Sequence, residues 1–145
     1  MSHSFRELFY HLVWSTKYHE PFITTDIKPV LLQLLKTKAL NLGCRVYALN
    51  CVSDHVHLLL YIPPNLAVSK AINGLKGTSS HELKGLSASF CWQQGYGIFT
   101  LRRSDLPVVE SYIKNQERHH RENSIEPMWE PPRSTAAQGC ELKPF

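Results

Sequence analysis

The segment HVHLLLYI, His55 to Ile62, lies between Ser53-Asp54 and a Pro63-Pro64 stop. Its aliphatic run and its boundaries read as a β-strand. The preceding CRVYALNCVS alternates as a strand does, and the short gap at Ser53-Asp54 predicts a hairpin between the two. Strand side chains alternate faces, so His55 and His57 point the same way and Val56 points the other. A fully buried strand has no need of two imidazoles, so the pair asks for a chemical reason.

The rest of the chain builds around this hairpin. LFYHLVWSTKY, Leu8 to Tyr18, is rich in aromatic and β-branched residues and reads as a first strand. Thr25 or Asp26 can cap the segment that follows. IKPVLLQLLKTKALNLG places Leu31, Leu34, Leu35, Lys38 and Leu42 at helical spacing, with Pro29 in the first turn and Gly43 as the stop. After the hairpin, NLAVSKAINGLKGTSSHELK predicts a helix from about Leu66, weakened by Gly74 and Gly77. GYGIFTLR is a last strand, and Ser104 or Asp105 starts a helix from Leu106 to Arg121. The order β-α-β-β-α-β-α predicts an α+β domain over residues 1–121. Its first six elements match a ferredoxin-like antiparallel sheet with helices on one face, and the C-terminal helix is an addition. Residues 122–145 hold four of the nine prolines and no periodicity, and read as an extended or mobile tail.

Composition narrows the classes. A chain of 145 residues, 43% hydrophobic, suits one compact domain. No apolar stretch approaches the roughly 20 residues that span a bilayer, and the N-terminus, with Arg6 and Glu7 early, lacks the pattern of a secretory signal. Cys44, Cys51, Cys91 and Cys140 show no C-x-x-C spacing, so we read reduced thiols in a cytoplasmic protein. A net charge of +4 permits a polyanionic partner without demanding one.

Two imidazoles side by side on a sheet can grip one divalent ion; the plain alternative is a pair of half-exposed surface histidines. A further ligand is on offer in ESYIKNQERHHR, where Tyr112 and Gln116 lie four apart and share a helical face. A site of two histidines and one glutamine carries no protein charge. It would bind Mg²⁺ or Mn²⁺ loosely and leave positions open for a phosphate. The plain readings of Gln116 and Tyr112 are a solvated residue and a packing residue.

Taken together, H-hydrophobic-H on a strand followed by a helix with Y-x-x-x-Q resembles the single-tyrosine HUH transposases. These are the IS200/IS605 group of insertion-sequence transposases and the REP-associated tyrosine transposases. The resemblance runs from about Tyr10 to Arg121 through HLVWSTKY, SDHVHLLL, LKGTSSHEL, WQQGYGIFTL and YIKNQERHHR. It implies the HUH endonuclease fold, with Tyr112 as the nucleophile and His55, His57 and Gln116 as ligands of Mg²⁺ or Mn²⁺. It also implies a homodimer, with active sites that can be shared between subunits. Such an enzyme binds imperfect hairpins, cuts single-stranded DNA to leave a 5′-phosphotyrosine, and rejoins strands.

For DNA contacts, Lys76, Arg102, Arg103, Lys114, Arg118, His119, His120 and Arg121 are candidates, each equally readable as an ordinary solvated charge. Trp92 and Tyr96 could stack bases, whereas Phe99 reads as core. The sequence departs from the family pattern at His19, where many relatives carry a basic residue, and in the tail. Two other readings stay open. One is a domesticated hairpin DNA or RNA binder without cleavage. The other is an unrelated zinc protein using Cys51 with the histidines.

Overall fold

A computed structural model describes residues 4–116 and 118 of the chain. Four strands form one sheet: β1 Phe9–Ser15, β2 Arg45–Cys51, β3 His55–Tyr61 and β4 Gly97–Leu101. Three helices complete the domain: α1 Ile27–Asn41, α2 Val68–Lys84 and α3 Leu106–Lys114. The spatial order is β2-β3-β1-β4 and every pairing is antiparallel, the ferredoxin-like arrangement expected from the element order.

The sheet is covered on both faces. Leu12 and Trp14 of β1 join Val56, Leu58 and Leu60 of β3 in a core with Leu31 and Leu35 of α1 and Ile72 and Leu75 of α2. On the other face Phe9, Ala48 and Leu59 pack against Leu106, Val109 and Ile113 of α3. This explains why β3 reads as a nearly continuous apolar run: strands buried on both faces lose the alternation of half-buried ones. Burying each of these aliphatic side chains contributes about 1.5–3 kcal/mol.

Local chemistry sets the boundaries. Thr24, rather than Thr25 or Asp26, supplies the hydroxyl that accepts the Ile27 N–H. At the far end of α1, Gly43 takes φ +85°. The Cys44 N–H then reaches the Ala39 carbonyl and the Gly43 N–H reaches Leu40, a Schellman closure. The first strand stops at Ser15 rather than Tyr18, because Lys17–His19 turn as a 3-10 segment with Tyr18 and His19 at positive φ. α2 runs unbroken through Gly74 and Gly77.

α3 is interrupted near its C-terminal end. Asn115 leaves helical geometry at φ −103°, ψ 23°, and its side-chain amide donates to the Ser111 carbonyl at 2.8 Å, a local competitor of the helix. Gln116 and Arg118 are helical again. The candidate residues His119, His120 and Arg121, and the tail, lie outside the described residues.

Among the described cysteines Cys44 and Cys51 are free and buried. Cys91, however, is disulfide-bonded, against the expectation of reduced thiols. No helix among the described residues is long and apolar enough to cross a membrane.

Candidate active site

The face of the sheet beneath α3 carries the imidazoles. His55 and His57 sit at the start of β3 with ring centroids 5.0 Å apart, and both are buried. The turn before them is pinned from two sides. The Asp54 carbonyl accepts the Thr16 N–H at 2.9 Å, and the Ser53 carbonyl accepts the Ile23 N–H at 3.0 Å. The Asp54 carboxylate lies 2.7 Å from His55 Nδ1 and 3.9 Å from His19 Nδ1. His19, the departure from the family pattern, therefore faces the acid that orients His55.

α3 brings the remaining candidates onto the same face of its own chain's sheet. Leu106, Val109 and Ile113 dock the helix, and its period places Tyr112 against the histidines. The Tyr112 ring lies 6.0 Å from the His57 ring at 75°, and Tyr112 is buried. Gln116 is buried one turn later, its Nε2 donating to the Tyr112 carbonyl at 3.3 Å. With the amide nitrogen so engaged, Oε1 is the atom with which Gln116 would ligate.

Three residues that sequence reading did not single out shape this site. His11, on β1, places Nε2 2.9 Å from His57 Nδ1. Its only sequence signal is a lone imidazole in an apolar strand. Asp54 orients His55. Asn50, on β2, donates from Nδ2 to the carbonyls of Ile113 at 3.0 Å and Lys114 at 3.4 Å, closing the end of the tyrosine helix. Nδ1 of both site histidines is thus engaged, so each would meet a metal through Nε2. Two imidazoles and a neutral amide oxygen make a donor set that could hold a divalent cation and leave further coordination positions open. The zinc alternative loses its cysteine: Cys51 is buried in the core with α1 and α2, on the face opposite His55 and His57. No group of three or more His, Cys, Asp or Glu that could hold a metal occurs among the described residues.

The DNA candidates divide. Lys76 is corrected: it is buried on the inner stripe of α2, where its Nζ donates to the carbonyls of Gln93 and Gly95, each at 2.8 Å. Burial pushes its ammonium down to about 8, and it cannot meet phosphate there. Trp92 is likewise buried, its indole N–H given to Ser79, so it is core and not a base platform. Arg102, Arg103, Lys114 and Arg118 are exposed, although Arg102 pairs with Asp105, Arg103 with Glu7 and Lys114 with Glu110. Arg103 also lines a groove of about 340 Å³ with Arg6, Arg45, Tyr47 and Tyr61; Arg6 and Arg45 were not among the candidates.

A family model described as IS200-like transposase matches residues 4–116. The ISDra2 transposase TnpA of Deinococcus radiodurans is 28% identical over 118 residues, covering 76% of this chain and 84% of that protein. The transposase for insertion sequence element IS200 of Salmonella typhimurium is 29% identical over 116 residues, covering 74% and 75%. The crystal structure of a candidate transposase from Deinococcus radiodurans superposes with a TM-score of 0.66 at 26% identity, covering 80% of this chain and 95% of that one. A REP-associated tyrosine transposase bound to a REP hairpin superposes with a TM-score of 0.62, covering 99% of this chain and 100% of that one; at 14% identity it speaks to the fold alone.

Proposed function

Because the chain belongs to the IS200-like transposase family, we propose that it is a metal-dependent DNA transposase that cuts and rejoins single-stranded DNA through Tyr112. The observation that carries this reading is the placement of the Tyr112 ring 6.0 Å from the His57 ring. A hairpin substrate is carried over from the fold neighbour that holds a REP hairpin, and a homodimer from the family resemblance.

The phenol of Tyr112 loses its proton and its oxygen attacks the scissile phosphorus. The bond from phosphorus to the 3′ oxygen breaks, and that oxygen leaves protonated as a free 3′-OH. The strand is left joined to the protein as a 5′-phosphotyrosine. Attack by another 3′-OH reverses the step and returns the tyrosine, so joining needs no nucleotide cofactor. His55 and His57 would hold Mg²⁺ or Mn²⁺ through Nε2, and Gln116 through Oε1. The ion, when bound, would withdraw charge from the phosphate.

A denaturing gel tests this directly. The protein is mixed with labelled hairpin DNA from its own genomic flanks, with Mg²⁺ or Mn²⁺, beside Tyr112→Phe. A metal-dependent covalent band that disappears in the variant is expected. Phe keeps the packed ring, so the variant should fold. A shift of the same DNA on a native gel with no covalent band would overturn the cleavage reading in favour of a domesticated binder.

A further inference from the structure

We propose that His11 is a positioning residue that fixes the tautomer of His57, so that His57 offers Nε2 to a metal; this rests on the metal reading above. His11 lies on β1 and pairs with Leu59 of β3 on one side and Phe99 of β4 on the other. Alternation sends its ring to the α3 face, where it stacks on His57 with centroids 5.1 Å apart and planes 25° apart. Phe99 lies on its other flank, 5.7 Å away. Both imidazoles are fully buried.

A contact of 2.9 Å between two ring nitrogens requires that one donate and the other accept, because two lone pairs or two N–H groups would repel. Two arrangements satisfy it. If His11 donates from Nε2, then His57 carries its proton on Nε2 and has no lone pair there. If His57 donates from Nδ1, its Nε2 lone pair is exposed to the site. Only the second arrangement lets His57 act as a ligand, and His11 is then its acceptor. Metal-bound histidines commonly have their second nitrogen fixed in this way.

The two site histidines are oriented by different chemistry. His55 is held by the Asp54 carboxylate, which when ionised can only accept. His57 is held by an imidazole that is itself fully buried. A carboxylate at position 11 would bury a charge between β3 and β4, at high desolvation cost. An imidazole supplies the same acceptor without that charge.

The test reads the tautomer itself. Nitrogen-15 correlation spectra of the metal-free protein, at a pH where the imidazoles are neutral, distinguish protonated from unprotonated ring nitrogens. In the native protein His57 should be protonated on Nδ1. In His11→Leu it should shift towards protonation on Nε2, and His11→Gln, whose amide oxygen can replace the acceptor, should restore the native signature. Mn²⁺ titration followed by electron paramagnetic resonance should show affinity about 10- to 100-fold weaker in His11→Leu, with substantial recovery in His11→Gln. A native His57 protonated on Nε2, or a tautomer indifferent to both substitutions, would overturn the proposal. Loss of Mn²⁺ binding by the native protein would instead sink the metal reading, because the tautomer is measured without metal.

Discussion

The ammonium of Lys76 is held by two carbonyl oxygens of the loop that leads into β4. That position makes its proton a measure of the fold. Burial lowers its pKa from 10.5 to about 8. Below pH 8 the residue is protonated in both the folded and the unfolded chain, and it adds no pH dependence. Between about 8 and 10.5 the unfolded chain binds a proton that the folded chain does not, so stability rises with pH across that window. The full gain is roughly 3 kcal/mol. Urea unfolding of the native protein and Lys76→Met at pH 7 and near pH 10 isolates it. The stability difference, native minus variant, should grow in favour of the native protein at the higher pH. A difference that stays level would show that the amine is not desolvated. Lys76→Met should also leave the salt dependence of DNA binding unchanged, because this lysine neutralises no phosphate.

At the scale of elements, the tyrosine helix depends on a strand that contributes no catalytic atom. Asn50 of β2 closes the last turn of α3 by donating to Ile113 and Lys114, and its Oδ1 accepts the Cys51 N–H. Asn50→Ala removes the closure and should cost about 1–2 kcal/mol. Asn50→Asp should be worse at neutral pH, since a carboxylate then faces the carbonyl end of a helix. Thermal unfolding should therefore rank native above Ala above Asp, and formation of the covalent DNA complex should follow the same order. An Asp variant as stable as the native protein would refute this closure. The same contacts explain what the sequence could reveal. His55 with His57, and Tyr112 with Gln116, are local periodicities, so their shared faces were legible from spacing. The element order gave the sheet topology for the same reason. Asn50 reaching α3 and His11 meeting His57 join positions 63 and 46 residues apart, and no single-chain period encodes them. Lys76 misled because a lysine on an amphipathic helix reads as solvated, and the carbonyls that hold it come from a loop with no periodicity.

For the whole molecule, the question is whether one chain completes its own site. Both faces of the sheet are occupied, by α1 and α2 on one side and α3 on the other. α3 meets β2 and β3 of the chain that carries it, and Tyr112 lies against that chain's His57. In a homodimer built this way each subunit supplies its own nucleophile and its own ligands. Mixing tests the arrangement. Tyr112→Phe and His57→Ala should each be inactive in strand cleavage. Co-expressed with different tags and purified as a mixed dimer, they should stay inactive, because every site then holds one defect. If the helices instead exchange between subunits, half of the sites in the mixed dimer regain both residues and cleavage returns to about half the native level. The DNA shift on a native gel should survive in every combination, which separates loss of chemistry from loss of assembly. Restored cleavage would mean that α3 leaves the Phe9, Ala48 and Leu59 surface of its own sheet to dock on the partner's, and the Asn50 closure would then have to form between subunits.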